Sequence, residues 1–252
     1  MILAIDAGNT NIVIGGCQES GALFHERIVT DKTMTAARFA DILRGFLTRH
    51  AGPYEGACVC SVAPEITGAL TEGCRLAAGL EPVVVGTDVE TGLTYKLTDC
   101  SDLGPDLIAG AVAAKVCYWL PAVVIDTGTA TTLMAIDENS GFLGGAILPG
   151  IRASFSALFS SASMLRELPL EPPPSAIGHN TAEAIGSGAI YGYAEMIDGL
   201  CRRFADQLGR QPVFLITGGL AYRFMDCCHT RLIHDDMLVL KGIYCIYKMN
   251  RG

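Results

Sequence analysis

Charge is scarce in this chain, and positive charge scarcest. Only 17% of its 252 residues are Asp, Glu, Lys or Arg, and 18 basic side chains face 26 acidic ones. A duplex-binding surface needs Lys and Arg clustered on one face. No such cluster occurs, which argues against a nucleic-acid partner. Long apolar runs are also missing: half of the residues are hydrophobic, yet no run reaches the ~18 residues of a membrane span. Met1 leads into a short apolar strand without a basic lead or cleavage signal. These absences predict a cytoplasmic protein with no membrane partner. The ten cysteines are scattered, and Cys58/Cys60 and Cys227/Cys228 lack zinc-ligand spacing. They are expected to be reduced thiols that pack as small apolar side chains. No two of the five histidines stand at helical i, i+4 ligand spacing, and His179 reads as a surface-loop residue. The single tryptophan, Trp119, reads as core or interface, and Arg202, Arg203 and Arg210 as a solvated helix face.

What is present is a repeat. The opening LAIDAGNTNIVIG has a partner at VVIDTGTATTLMAID, where Ile5-Asp6-Ala7-Gly8 aligns with Ile125-Asp126-Thr127-Gly128. Each copy reads as strand, Asp-x-Gly turn, strand. A third strand, Val213 to Ile216, runs into Thr217, Gly218 and Gly219. Between these lie helices expected at Thr35–His50, Pro64–Leu70, Asp106–Tyr118, Ser154–Leu165, Thr181–Leu208 (with a break near Gly186 or Gly188) and Leu238–Met249. Strands are expected at Ala57–Val62, Pro82–Val85 and Ala122–Ile125. Leu168 to Ile177, with four prolines, reads as an exposed connector. Strands alternating with helices predict an α/β protein with helix-covered sheets, duplicated as domains 1–118 and 119–252 with a cleft between them.

The two turns carry the chemistry. Glycine lets backbone approach an oxyanion, and successive backbone N–H groups form an anion nest. Asn9, Thr10 and Asn11 add donors in the first copy; Thr129, Thr131 and Thr132 add them in the second. An aspartate among phosphates requires a cation such as magnesium with retained waters. Each turn therefore suits a nucleotide phosphate tail with its metal. Asp106 follows Pro105 at a helix start. There it serves either as an acid that stabilises the helix dipole by about 0.3–1 kcal/mol or as a general base.

These residues resemble the actin-like ATPase and sugar-kinase superfamily, in which two ribonuclease-H-like domains clamp ATP. More closely, nearly the whole chain resembles type III pantothenate kinases. The resemblance rests on DAGNTN at Asp6–Asn11, CSVAP at Cys60–Pro64, TGL at Thr91–Leu93 and GPD at Gly104–Asp106. It continues with DTGTATT at Asp126–Thr132, GGAILPGI at Gly144–Ile151, IGHNT at Ile177–Thr181 and TGGLA at Thr217–Ala221. It implies that Asp6, Ala7, Gly8, Asn9, Thr10, Asn11, Ile12 and Val13 bind ATP, with Asp6 near its Mg2+, and that Thr129 also contacts ATP. It implies Asp106 as catalytic base, Asp126 as ligand of a monovalent cation (K+ or NH4+), and Gly104, Pro105, Asp106 and Leu107 as substrate contacts. Thr181 would reach pantothenate in the other subunit of a homodimer; the apolar stripe of the long helix suits that contact or an ordinary core face. The reaction implied is ATP-dependent phosphorylation of pantothenate, the first step toward coenzyme A.

The acceptor half departs from the family pattern. Its arginine after the base is Leu107, its tyrosine is Leu97 and its asparagine is Gly110. Arginine offers a donor fork for a carboxylate, and leucine offers none. Three readings follow: a pantothenate kinase that draws on Arg152, Arg166 or Lys96, with Tyr95 substituting for the tyrosine; a kinase of the same fold with a more apolar alcohol; or a non-catalytic nucleotide-binding or regulatory homologue.

Overall fold

A computed structural model describes residues 1–161 and 169–251. Along the chain run β1 (Ile2–Ala7), β2 (Asn11–Gln18), β3 (Gly21–Val29), α1 (Ala36–Arg49), β4 (Gly56–Ser61), α2 (Pro64–Ala78), β5 (Pro82–Val84), β6 (Thr94–Tyr95) and α3 (Pro105–Cys117). There follow β7 (Ala122–Thr127), β8 (Ala130–Ile136), β9 (Gly141–Pro149), α4 (Ile151–Ser161), α5 (Thr181–Leu208), β10 (Val213–Thr217), β11 (Leu232–His234) and α6 (Leu238–Arg251).

The repeat seen in sequence is a repeat of topology. One sheet orders its strands β3-β2-β1-β4-β5, and β11-β10-β7-β8-β9 is the same order traced from the other end. In each, two strands run antiparallel into a third, and the next strand joins parallel to the first. This is the mixed sheet of a ribonuclease-H-like unit, present twice.

In the first unit β1 is buried on both faces. Leu3, Ile5 and Ala7 pack with Phe39, Leu43 and Phe46 of α1 and with Ile66 and Leu70 of α2. Ile2 and Ala4 pack on the opposite face with Ile108 and Val112 of α3 and Ile243 and Ile246 of α6. Alternation along a strand sends successive side chains to opposite faces, so one apolar run feeds two helix layers. α3 is buried from Ile108 through Ala114; a helix apolar all round belongs in an interior.

α6 corrects the expected division at 119–252. By topology it is the last helix of the second repeat, but residues 237–252 cluster with 1–117 and the second unit is Tyr118–Asp236. The cause is the apolar face of α6, where Gly242 meets the Ala109 backbone of α3: a Cβ there would lie 1.8 Å from the Ala109 carbonyl oxygen.

In the second unit Ile190, Tyr193, Ala194, Ile197 and Cys201 form the buried stripe of α5. This helix is unbroken at Gly186 and Gly188. Gly186 instead admits the proline connector, whose Glu171 carbonyl would stand 3.2 Å from a Cβ at that position. The connector is tied to α5 by Tyr191 Oη donating to Pro173 O (2.8 Å) and Ser187 Oγ donating to Ala176 O (2.6 Å). The buried Asp198 accepts the N–H groups of His229 (2.7 Å) and Thr230 (2.9 Å), fixing the loop before β11.

Other expectations need amendment. α2 continues to Ala78, and β3, β9 and β11 are strands that the apolar runs did not reveal. Trp119 is 83% exposed and therefore not a core residue. Residues 162–165 of the expected fourth helix, Arg166 and Leu168 lie outside the described residues. Arg202 and Arg203 are exposed on α5 as expected, whereas Arg210, also exposed, lies beyond the end of the helix. All ten cysteines are free, with Cys17, Cys58, Cys60, Cys74 and Cys201 buried. Among the described residues no helix is long and apolar enough to cross a membrane.

Candidate active site

The first turn is built where β1 leaves the sheet. Asp6 pairs with Val13 across the antiparallel ladder and with Cys60 across the parallel one. Ala7 pairs with Ile12, leaving Gly8, Asn9, Thr10 and Asn11 to make the turn. Gly8 N–H donates to Asn11 O (2.9 Å). Two carbonyls of the turn are held by Thr30: its Oγ1 donates to Gly8 O (2.7 Å) and its N–H to Thr10 O (3.0 Å). Asn9 and Thr10 are exposed at the tip, whereas Ala7 and Ile12 are buried. Thr30 was not singled out in the sequence. Its signal is the alternation Phe24, Glu26, Ile28 in β3, which places it opposite Thr10.

Asp106 stands in the first turn of α3. Its Oδ1 accepts the N–H of Leu107 (2.8 Å). A Cβ on Gly104 would lie 2.5 Å from that oxygen, so the glycine leaves space for the carboxylate. Burial raises the Asp106 pKa above the ordinary carboxylate value, while backbone N–H groups partly oppose the rise. Cys60 ties this acid to the first turn. Its buried thiol is pushed up first by desolvation and then by the negative charges of Asp6 and Asp106. In the first unit Asp6 and Cys60 are cross-strand neighbours near the ends of β1 and β4, and the Cys60 thiol also feels the charge of Asp106.

The second turn is shorter by one residue. Asp126 pairs with Thr132 and Thr127 with Thr131, so only Gly128, Thr129 and Ala130 intervene. Gly128 N–H donates to Ala130 O (2.9 Å), and Gly150 N–H to Thr129 O (3.2 Å). Thr127 Oγ1 donates to Thr217 O (2.8 Å), locking the turn to the end of β10. Gly218 follows with φ +94°, and a Cβ there would lie 2.7 Å from Asp126 Oδ1. Glycine thus serves both the backbone conformation and the space beside the Asp126 carboxylate. Thr129 is exposed and Thr131 is buried, accepting a hydrogen bond from Tyr193 Oη. Tyr193 and Gly150 are supports whose roles only the fold reveals.

Thr181 is the exposed first residue of α5. The helix begins with a reciprocal cap: Asn180 Oδ1 accepts Glu183 N–H (3.0 Å), and Glu183 accepts His179 N–H (2.8 Å). His179 is exposed, as expected of a surface loop.

The acceptor-side residues are distributed as follows. Gly104, Pro105 and Leu107 are half-buried around Asp106, and Gly110 is buried inside α3. Tyr95 shares a hydrogen bond with Thr91 (3.2 Å). Leu97 is half-buried and lies beyond the end of β6. Lys96 is exposed. Arg152, also exposed, borders a cavity of about 440 Å³ with Phe155, Ser156 and Arg223 in the second unit.

Two Asp-x-Gly turns on duplicated sheets, with an acid set at a helix start, suit phosphoryl transfer, which rests mainly on positioning and charge neutralisation. Comparison with known proteins agrees. The family model for type III pantothenate kinase matches residues 2–203. The chain is 37% identical to the type III pantothenate kinase of Halalkalibacterium halodurans, covering 99% of this chain and 100% of that one. It is 35% identical to the one from Bacillus cytotoxicus, covering 99% and 97%. Among solved structures, an activator of 2-hydroxyisocaproyl-CoA dehydratase from Clostridium difficile, with bound ADPNP, matches at TM-score 0.58 and 11% identity over 98% of this chain and 95% of that one. That last likeness is one of fold alone, a duplicated α/β architecture. The full-length likeness in sequence goes further, and by it the chain belongs to the type III pantothenate kinase family.

Proposed function

We propose that the chain transfers the γ-phosphoryl group of ATP to the primary alcohol of pantothenate, giving 4'-phosphopantothenate and ADP at the start of coenzyme A synthesis. The observation that carries this reading is the Asp106 carboxylate, made more basic by burial and given room by Gly104. A general base must come within hydrogen-bond reach of the proton it takes. Asp106 accepts the hydroxyl proton as the pantothenate oxygen bonds to the γ-phosphorus, and the bond from that phosphorus to the bridging oxygen breaks to release ADP. The turn from Asp6 to Val13, with Thr129, holds the phosphates of ATP. Magnesium bound with ATP supplies charge neutralisation, and Asp6 is the carboxylate that would face it. Asp126 is the carboxylate that would hold a monovalent cation, K+ or NH4+, at a turn packed closely against Gly218. Thr181 and the exposed start of α5 serve a homodimer, with Thr181 contacting the partner's pantothenate. The protein works in the cytoplasm.

A second reading is favoured by one feature. Leu107 and Leu97, both half-buried and apolar, replace groups that would meet the pantothenate carboxylate, so a more apolar alcohol is the competing acceptor. Leu107→Arg restores a charge-assisted contact worth about 1.5–3 kcal/mol. It is expected to lower the KM for pantothenate about ten- to hundredfold with kcat little changed, measured by steady-state kinetics.

The raised pKa sets the pH profile. Only the ionised form of Asp106 accepts a proton, so kcat/KM falls on the acid side at a pH above the ~3.9 of an ordinary aspartate. The log kcat/KM profile for pantothenate should bend once, with unit slope below the bend. The function is tested by coupled ADP release with ATP, magnesium and potassium, with and without pantothenate. Pantothenate-dependent release supports the assignment; binding of ATP without stimulation by pantothenate rejects it.

A further inference from the structure

We propose, on the reading of the first turn as the seat of the ATP phosphates, that Thr30 is a positioning residue for nucleotide binding: it sets which way the backbone amides of that turn face. Thr30 stands one residue beyond β3, and the ladder that ends with Asn11 paired to Val29 puts it opposite Thr10. Its N–H donates to Thr10 O (3.0 Å) and its Oγ1 to Gly8 O (2.7 Å). One residue therefore draws two carbonyls of the turn to the same side. Both peptides are trans, and in a planar trans peptide the N–H points opposite to the C=O that precedes it. The N–H groups of Asn9 and Asn11 thus face away from Thr30. Amides that share a direction suit an anion, and the negative ends of the two carbonyls are turned from that side and held by donors.

Thr30 is itself anchored by the residues that follow it. Asp31 Oδ1 accepts the N–H (2.8 Å) and the hydroxyl (2.7 Å) of Thr33, Asp31 O accepts the N–H of Met34 (3.0 Å), and the Asp31 carboxylate pairs with Arg38 of α1. The second turn shows what the threonine adds. There Ala130 pairs with Pro149, so Gly150 holds the place of Thr30. Its N–H donates to Thr129 O (3.2 Å), the counterpart of the bond from the Thr30 N–H. A Cβ on Gly150 would lie 2.5 Å from Thr129 O and 2.6 Å from Gly128 O. The residue at this place faces two carbonyls in both turns, and in the first a hydroxyl binds one of them.

Thr30→Val keeps the β-branched shape and the backbone N–H but removes the hydroxyl; Thr30→Ser keeps the hydroxyl. Titration calorimetry of the full-length protein with magnesium and AMPPNP, an ATP analogue that is not hydrolysed, measures nucleotide affinity, and steady-state kinetics gives the KM for ATP and for pantothenate. Thr30→Val is expected to weaken AMPPNP binding about three- to tenfold, the effect of one hydrogen bond. The KM for ATP should rise in proportion and the KM for pantothenate stay unchanged, while Thr30→Ser binds as the parent does. Thr30→Ala, which lacks the hydroxyl and adds no bulk, should weaken binding likewise, so the outcome does not hang on how one variant folds. Parental affinity in Thr30→Val and Thr30→Ala overturns the proposal and leaves the kinase reading intact. Equal rises in both KM values, or a loss that Thr30→Ser shares, overturn it by making Thr30 a general support of the fold. A wild-type chain that binds no AMPPNP overturns the reading of the turn as a phosphate seat, and the proposal with it.

Discussion

Asp106→Asn is expected to lower kcat for pantothenate phosphorylation about 10²–10⁴-fold, the range for loss of a general acid or base, while ATP still binds. The carboxamide keeps the shape and the oxygen that accepts the Leu107 N–H, but it takes up no proton. The variant should also be at least as stable as the parent at neutral pH. Burial raises the folded-state pKa of Asp106, so between the unfolded and folded values the native chain binds more protons than the unfolded chain. Stability then falls as pH rises through that window. Above it the cost of burying the charge is fully present, and asparagine removes this cost. Loss of turnover with an equal or higher Tm separates a catalytic role from a structural one. Equal losses of both would make Asp106 a mere helix-start acid.

Gly242→Ala is expected to destabilise the protein by about 1–3 kcal/mol, the usual cost of forcing atoms into a packed interior. Alanine is the better helix former by about 0.8–1 kcal/mol, so the sign must come from packing. A Cβ at Gly242 would stand 1.8 Å from the Ala109 carbonyl oxygen and 2.5 Å from its carbon. Both are backbone atoms of a buried helix, so α3 and α6 must separate. Gly68 of α2 is the control: it is helical and exposed, and nothing lies within 4 Å of its would-be Cβ. Gly68→Ala should therefore stabilise. Thermal denaturation of both variants checks the pair, since the same substitution in the same unit should shift Tm in opposite directions.

What the sequence reveals of this fold follows from which interactions are local. Asp6-Ala7-Gly8 and Asp126-Thr127-Gly128 are visible because a strand end, a turn and the next strand are adjacent in the chain. The one-residue difference between the turns is not visible; it depends on which residues pair across each ladder. β3 escaped because it alternates Phe24, Glu26 and Ile28 with exposed His25, Arg27 and Val29, the pattern of a half-solvated strand. With it went Thr30, which pins the first turn through two carbonyls. An amphipathic helix declares that it has an apolar face but not what covers it, and so α6 was assigned to the wrong unit. Cys60 reads as core in the sequence. Only strand register places Asp6 beside it.

The central claim is that pantothenate receives a phosphoryl group and that Asp106 takes the proton. The most direct measurement is 31P NMR of a reaction containing ATP, Mg2+, K+ and pantothenate, run with the wild-type chain and with Asp106→Asn. The account predicts a phosphomonoester resonance that matches authentic 4'-phosphopantothenate and grows in step with ADP for the wild type, and is nearly absent for the variant. ATP left intact by the wild type, or the same resonance growing at an unchanged rate with Asp106→Asn, would contradict it.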